Sequence, residues 1–238
     1  MIVLPMAGMS SRFFNAGYNK PKYMLELNGK SIFEHSLISF EKYFPDERFI
    51  FIIRNTFDTK NFIKKIIDKV GITNYSIIEI NYQTMGQAET VYLGVKNEDK
   101  NDEIIIFNID TFLPNFTKPD LNSEFDGYLE VFEGEGNNWS FVKTMHKDST
   151  LVSETSEKKP ISNLCCTGLY QFKTVADFCD AYIEYKSLPK SSWVNNEIYI
   201  APLYNVLIKK NKKITYYKID RKDVIFCGTP EEYNNLTL

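Results

Sequence analysis

Short apolar runs alternate with segments of helical periodicity over the first half of the chain. Ile2–Leu4, Phe49–Ile53 and most of Glu103–Asp110 lack the polar alternation of a strand with one wet face. Such strands are buried on both sides, which is typical of a parallel sheet. Between them, Ser31 to about Tyr43 and Asp58 to about Val70 place apolar residues at helical spacing. This order predicts an α/β fold with a Rossmann-like, doubly wound and mostly parallel sheet.

Capping and turn signals indicate the remaining elements. Ser31-Ile-Phe-Glu34 and Gly228-Thr-Pro-Glu-Glu232 are capping boxes, and Asp58 is expected to be the N-cap of the helix that reaches about Val70. A polar loop without periodicity, Glu133–Asn138, is interpreted as an exposed lid. Further strands are predicted at Ser76–Ile80, Gly127–Phe132, Trp139–Val142 and Ile214–Ile219. Further helices are predicted to run through about Val95, over Thr174–Tyr185, and up to Lys209–Lys213.

Composition limits the class of protein. The chain has 238 residues, of which 43% are hydrophobic and 25% charged, enough for one sizeable core in a single domain. Its net charge is −3, so no broad basic field favours nucleic acid or a membrane as a partner. We find no apolar run of the roughly 18 residues that a membrane span needs, and no signal peptide. We therefore expect a cytoplasmic protein, and leave open whether it forms a homodimer.

The cysteines and histidines form no catalytic or metal-binding pattern. The two histidines lie in unrelated contexts, so a Ser-His-Asp triad has no support. The cysteines lack C-x-x-C spacing and neighbouring histidines, which favours small buried thiols. They are Cys165, Cys166, Cys179 and Cys227.

The segment after the first strand combines small residues with positive charge. In an open α/β sheet, ligands bind beyond the carboxyl ends of the strands. Small residues let the backbone approach a ligand and offer N–H groups to phosphate oxygens. Arg12 and Lys22, with Lys20 nearby, add cations, so we predict a polyphosphate site. With a single glycine, the turn fits neither a P-loop nor a dinucleotide fingerprint. The residues expected to line it are Met6, Ala7, Gly8, Met9, Ser10 and Ser11.

Two polar residues follow the central apolar strand. Asn108 and Asp110 come where this strand leaves the core, at the sheet edge that also carries the small-residue turn. A carboxylate opposite a phosphate site suits Mg²⁺, which binds through one or two acids plus substrate oxygens. We therefore predict Asp110 as a metal ligand and Mg²⁺ as the cofactor.

These motifs together resemble those of a known family. Pro5–Phe13, Gly17-Tyr18 and Pro21-Lys22 resemble the signature P-M-A-G-x-x-S-R-F…G-Y…P-K of nucleotidylyltransferases that activate sugar phosphates. The P-M-A-G form is similar to that of members in capsule and surface polysaccharide synthesis, including cytidylyltransferases. Glu157-Lys158 and Thr167-Gly-Leu-Tyr170 resemble later motifs of the same family.

The resemblance implies a fold and a reaction. The fold is that of nucleotide-diphospho-sugar transferases, GT-A-like, with a small acceptor-binding β embellishment. A single domain would span 1–238, with residues 1–125 as the nucleotide-binding half and 126–238 as the acceptor-binding half. The implied enzyme, of class EC 2.7.7, is Mg-dependent and transfers a nucleoside monophosphate to a phosphorylated small molecule with release of pyrophosphate.

The resemblance also implies roles for individual residues. The implied catalytic residues are Arg12, Lys22 and Asp110, the last as metal ligand. Besides the small-residue turn, the implied nucleotide contacts are Gln83, Gly86, Gln87 and Asn108. The implied acceptor contacts are Lys158, with Lys159 as an alternative, and Thr167, Gly168, Glu197 and Tyr199.

Several alternatives stay open at the level of sequence. Several family members carry a second metal-binding aspartate where this chain has Phe226. Either Asp220 or Asp223 takes its place as the second metal ligand, or one protein carboxylate is sufficient. The tight first turn favours CTP, and the acceptor is expected to be a sugar phosphate or a phosphoglutamine-like molecule. A metal-dependent glycosyltransferase of the GT-A fold, or a non-catalytic nucleotide-binding domain, are the alternative functions.

Overall fold

The structure of the protein is a computed structural model that describes residues 1–121 and 124–237. The strands in this part of the chain are β1 Ile2–Met6, β2 Glu26–Leu27, β3 Lys30–Ser31, β4 Phe49–Ile53, β5 Tyr75–Glu79, β6 Ile104–Phe107, β7 Thr111–Phe112, β8 Gly127–Glu133, β9 Ser140–Thr144, β10 Val152–Glu157, β11 Leu164–Phe172, β12 Ile214–Lys218 and β13 Ile225–Phe226. The α-helices are α1 Ser11–Asn15, α2 Ile32–Ile38, α3 Thr59–Val70, α4 Gln87–Val95, α5 Val175–Ser187, α6 Tyr204–Lys209 and α7 Pro230–Thr237.

The chain divides into two compact units, each built from separate segments. Unit A contains residues 2–83, 107–117 and 222–237, and unit B contains residue 1 and the described residues of 84–106 and 118–221. The predicted α/β class with a mostly parallel central sheet is confirmed. The predicted halves at 1–125 and 126–238 stay a prediction.

Unit A is built on three parallel strands in the order β1-β4-β5. Their last residues are paired in register, Met6 with Ile53 and Ile53 with Glu79. Every residue of β4 is fully buried, as expected for a strand covered on both faces. The loops that follow the three strands therefore leave the sheet at one edge.

A second hydrophobic cluster in unit A joins the ends of the chain. Phe13 of α1 packs with Leu25, Phe112 and Cys227, and Tyr233 of α7 packs against them. The Tyr233 hydroxyl donates a hydrogen bond to Glu26 O at 2.7 Å. This packing holds the carboxyl-terminal segment beside the first turn of the chain.

Unit B is centred on β8. This strand pairs in parallel with β12 and antiparallel with β11, which also pairs with β9, and β9 pairs with β10. The register of β11 against β8 shifts between Cys166 and Tyr170, which marks a β-bulge. Helices α4 and α5 contact each other through stacked Tyr92 and Tyr182 rings, with centroids 4.5 Å apart. These strands belong to the central sheet, and a small acceptor-binding β embellishment stays a prediction.

Most predicted boundaries agree with the structure within one or two residues, but helix α2 is shorter than predicted. It ends at Ile38 instead of about Tyr43, and a 3-10 turn follows at Glu41–Tyr43. Ser39 follows α2, and its hydroxyl accepts a hydrogen bond from Leu113 N at 2.9 Å. Phe40 leaves the helical region, with φ −108° and ψ 15°, and its N–H donates to Leu37 O, three residues back, so the α-helical hydrogen bonds end there.

Asp58 is at the N-cap position of α3, as predicted, but its side chain does not cap the helix. Asp58 precedes α3, but its backbone is left-handed, with φ 55°, and its side chain accepts no backbone N–H. Its carboxylate instead accepts a hydrogen bond from the Asn61 side chain at 2.8 Å. A capping residue normally has extended backbone that aims its oxygen at the first turn, and Asp58 lacks that conformation.

In the described residues, we find no helix with the length and apolar character needed to cross a bilayer. The four cysteines are free and buried, as predicted. Burial raises the pKa of Cys165 to about 11 and that of Cys227 to about 12, so these thiols stay protonated at neutral pH.

Thr174→Ala is expected to lower the free energy of unfolding by about 1 kcal/mol. The Thr174 hydroxyl accepts a hydrogen bond from Asp177 N at 3.0 Å and so caps α5. The measurement is urea unfolding. Thr73→Ala is the control, because Thr73 is exposed outside the helices and its loss should change stability by less than about 0.5 kcal/mol. Equal changes for the two variants would contradict the capping role.

Candidate functional site

The turn after β1 leads from a buried strand to the solvent-exposed surface. Met6 and Ala7 are buried, whereas Gly8 and Met9 are exposed. Apart from Gly8 and its chain neighbours Ala7 and Met9, no described residue has an atom within 4 Å of the position that a Cβ on Gly8 would occupy. The Ser10 hydroxyl accepts a hydrogen bond from Lys22 N at 3.1 Å. The turn is thus open on one side and tied on the other to the segment that carries Lys22.

The structure brings Lys22 and Asp110 into a direct ion pair. Lys22 Nζ lies 2.5 Å from Asp110 Oδ2, and the two side chains are 22% and 17% exposed. Burial alone raises the pKa of Asp110, but the charge and hydrogen bond of Lys22, with a smaller effect of Arg12, bring the pKa below its usual value. Asp110 is therefore ionised at neutral pH, and two predicted catalytic residues are in contact.

The carboxyl-terminal segment closes around Asp110. Cys227 N donates to Asp110 O at 2.8 Å, and a Cβ on Gly228 would lie 2.8 Å from Asp110 Oδ2. Glu232 Oε2 accepts from Gly228 N and Thr229 N, both at 2.9 Å. Thr229 accepts in return from Glu232 N at 3.2 Å, which confirms the predicted capping box. A side chain at position 228 would push Asp110 out of place.

Asp110 is a single-carboxylate candidate for a metal. Phe226, at the position of the second family aspartate, pairs with Thr111 beside Asp110. Among the described residues, we find no cluster of three or more side chains suited to hold a metal ion. One ionised carboxylate still fits Mg²⁺, which takes most of its ligands from phosphate oxygens and water.

Other predicted nucleotide contacts of unit A lie near the carboxyl ends of its strands. Asn108 is half-buried, and its carbonyl accepts a hydrogen bond from Ser36 Oγ at 3.2 Å. Gln83 is exposed in the loop after β5. Arg12 is exposed on α1. The roles of these residues stay predictions.

In unit B, the loop before α4 packs against the segment that carries predicted acceptor contacts. Met85 O accepts from Ile198 N at 2.7 Å, and Ala88 N donates to Ile198 O at 3.0 Å. A Cβ on Gly86 would lie 2.6 Å from Ile198 O, and Gly86 has φ 123°, so this approach requires glycine. Gly86 and Gln87 are therefore held beside Glu197 and Tyr199.

Lys158 and Tyr199 meet in unit B. Lys158 Nζ donates to the Tyr199 hydroxyl at 2.6 Å. Burial, followed by the neighbouring Glu197 carboxylate, raises the pKa of Tyr199. The adjacent Glu157 is buried and accepts a hydrogen bond from Ser140, and its pKa is also raised, chiefly by burial. The structure thus places three predicted acceptor contacts, Lys158, Tyr199 and Glu197, together.

Comparison with known proteins identifies the family. The chain is similar to the solved structure of a nucleoside-diphosphate-sugar pyrophosphorylase from Vibrio cholerae RC9, with 52% sequence identity over 100% of this chain and 99% of the other, and a TM-score of 0.95. The chain belongs to the nucleoside-diphosphate-sugar pyrophosphorylase family. This is the nucleotidyltransferase family that its motifs resemble.

Two more distant structures share the fold of this family member. An inositol-1-phosphate CTP transferase from T. maritima is 16% identical over 99% of this chain and 93% of its own, with a TM-score of 0.74. A UDP-glucose pyrophosphorylase from Acinetobacter baumannii is 17% identical over 99% and 91%, with a TM-score of 0.67. No family model and no curated protein matches the chain.

Sequence reasoning missed one buried carboxylate of this nucleotidyltransferase. Glu130 is 1% exposed within the apolar strand β8, and its Oε1 accepts from Thr167 Oγ1 at 2.9 Å. It lies opposite the bulge that contains Thr167 and Gly168. Burial raises the pKa of Glu130 to about 7, against a smaller opposite effect of the Thr167 hydrogen bond. The signal in the sequence that could have identified Glu130 was a single acidic residue inside the apolar run Gly127–Phe132.

Sequence reasoning also missed Arg54, which directly follows β4. This position is at the same sheet edge as the Gly8 turn, because β1 and β4 are parallel and in register. The signal in the sequence that could have identified Arg54 was its position directly after the fully apolar strand β4.

Glu130→Gln is expected to change how stability depends on pH. Because the pKa of Glu130 is higher in the folded than in the unfolded chain, this carboxyl lowers stability as pH rises from about 4.5 to about 7. The wild type should lose about 3 kcal/mol over that interval relative to the glutamine variant, which keeps a partner for Thr167. Urea unfolding at pH 5 and pH 8 measures the difference. A difference independent of pH would contradict the raised pKa.

Proposed function

We propose that this protein transfers a nucleoside monophosphate, CMP from CTP, to a phosphorylated small molecule and releases pyrophosphate. The acceptor is a sugar phosphate or a phosphoglutamine-like molecule, and the product is a precursor for capsule or surface polysaccharide. The observation that carries the proposal is the open Gly8 turn beside the Lys22–Asp110 pair. Family membership supports the class of reaction.

The reaction needs positioning more than proton transfer. The attacking acceptor phosphate is already an anion, so no general base is required. It attacks the α-phosphorus in line, the bond to the β-phosphate oxygen breaks, and pyrophosphate leaves. Catalysis then consists of aligning the two phosphates and neutralising the charge on the leaving group.

Residues of unit A would hold the triphosphate. The N–H groups around Gly8 and the guanidinium of Arg12 bind the β and γ phosphates, and Lys22 binds the α phosphate. The ion pair with Asp110 holds the Lys22 ammonium group in place. Mg²⁺ bound to Asp110 would supply further positive charge for the phosphate oxygens.

Residues of unit B would hold the acceptor. Lys158 binds its phosphate, with Tyr199 fixing the ammonium group, and the Thr167-Gly168 bulge lines the rest of the pocket. The preference for CTP is supported by the small residues of the first turn. It agrees with the nucleotide named for the T. maritima structure, which shares the fold.

The test is pyrophosphate release with Mg²⁺ and each of CTP, UTP, GTP, ATP and dTTP, against sugar phosphates, choline phosphate, glycerol phosphate and phosphoglutamine. Release with CTP and one acceptor is the expected outcome. Release only with another nucleotide would overturn the choice of CTP. No release with any pair, together with hydrolysis or transfer from UDP-sugars, would favour the glycosyltransferase alternative.

Gly8→Ala is expected to raise the KM for the nucleoside triphosphate about tenfold or more while leaving stability unchanged. Beyond its chain neighbours, the added methyl group meets no atom of the described residues within 4 Å, so we expect it to collide with a bound ligand only. Steady-state kinetics and urea unfolding measure the two effects. An unchanged KM would argue against close approach of the triphosphate to this turn, and a loss of stability would make the variant uninformative about the ligand.

A further inference from the structure

Arg54 lies at the sheet edge of the proposed triphosphate site. The five buried residues of β4 separate Arg48 at one end from Arg54 at the other. At about 3.3 Å per residue, the two arginines are about 20 Å apart on opposite edges of the sheet. Because Ile53 pairs with Met6 in register, Arg54 follows β4 where Ala7 and Gly8 follow β1.

The guanidinium of Arg54 reaches over this turn without a charged partner. It is half-buried and donates a hydrogen bond to the sulfur of Met9, a residue of the turn. A thioether is a weak acceptor, so this contact compensates little of the charge. Within residues 1–121 and 124–237, no carboxylate pairs with Arg54, whereas Lys22 is paired with Asp110.

The loop after Arg54 is strained and is tied to the Lys22 segment. Phe57 and Asp58 are consecutive non-glycine residues with φ 56° and 55°, a conformation that costs free energy and is often found at functional sites. Thr59, which follows them, hydrogen-bonds to the hydroxyl of Tyr23 at 2.7 Å. Tyr23 is the neighbour of Lys22 in the chain, so the loop and the proposed α-phosphate ligand are held together.

Electrostatics agree with this placement. Burial raises the pKa of the Tyr23 hydroxyl, while the Thr59 hydrogen bond and the positive charge of Arg54 act in the opposite direction. Arg54 is therefore close enough to the Tyr23 segment to influence it. The charges of Arg12, Lys22 and Arg54 lie around one turn.

We propose that Arg54 is a further ligand of the polyphosphate, donating hydrogen bonds from its guanidinium to the β or γ phosphate in place of the Met9 sulfur. The proposal rests on the function proposed above. A guanidinium binds two phosphate oxygens through N–H groups in one fixed plane, whereas a lysine ammonium acts as a point charge without that geometry. Arg54 would thus fix the orientation of the pyrophosphate leaving group as well as neutralise its charge.

The experiment measures the binding of inorganic pyrophosphate by calorimetry for the wild type, Arg54→Ala, Arg54→Lys and the control Arg48→Ala. Arg48→Ala removes the same charge from the other end of the same strand. We expect Arg54→Ala to weaken pyrophosphate binding about tenfold or more, Arg54→Lys to restore part of the loss, and Arg48→Ala to bind as the wild type does. The KM for the triphosphate should follow the same order, with binding of cytidine unchanged.

Two results would overturn the role of Arg54. Pyrophosphate affinity of Arg54→Ala within twofold of the wild type would exclude a phosphate contact. An equal loss for cytidine and for pyrophosphate would assign Arg54 to the nucleoside instead. If the wild type catalyses pyrophosphate release, these results leave the proposed function intact. Absence of release with every substrate pair, together with no pyrophosphate binding by the wild type, would overturn both proposals.

Discussion

Parallel pairing of β1, β4 and β5 in aligned register is the constraint on which unit A depends. Strands without a polar face must be covered on both sides, so polar groups appear only where the strands end. Aligned carboxyl ends bring the loops after the three strands to one edge of the sheet. The Gly8 turn and Arg54 are neighbours for this reason, although 46 positions separate them in the sequence.

At that edge, the ion pair of Lys22 and Asp110 organises the charged groups. A partly buried pair of this kind contributes little net stability, because desolvation offsets much of the attraction. The ion pair instead lowers the pKa of Asp110, which keeps this carboxylate ionised, and it fixes the position of the Lys22 ammonium group. Ser10 and Gly228 fix the two partners from different parts of the chain. The arrangement suits a ligand that brings several negative charges.

The buried carboxylates of unit B have a different environment from that of Asp110 in unit A. Burial raises the pKa values of Glu130 and Glu157, whose hydrogen-bond partners are the hydroxyls of Thr167 and Ser140. Neutral hydroxyls compensate less of a buried charge than Lys22 does for Asp110. Glu130 and Glu157 thus belong to a polar, hydrogen-bonded interior of unit B, and the cation beside Glu157 is Lys158, which contacts Tyr199.

The sequence by itself determined the elements of the fold and the central motif of the site. Apolar runs and capping boxes predicted the main strands and helices, because burial on both faces and helix capping are local properties. The small-residue turn, Arg12, Lys22 and Asp110 were recognisable for the same reason. The functional roles given to them remain predictions.

Only the tertiary structure decided which of these groups touch. The pairing of Lys22 with Asp110, the collision that any side chain at Gly228 would cause, and the charge of Arg54 over the Gly8 turn depend on strand register and long-range packing. The hydrogen bond from Leu113 N to the Ser39 hydroxyl likewise joins residues 74 positions apart. Local sequence patterns placed Asp110 at the sheet edge of the first turn, but they did not determine the individual contacts, because these arise only when separate elements fold against one another.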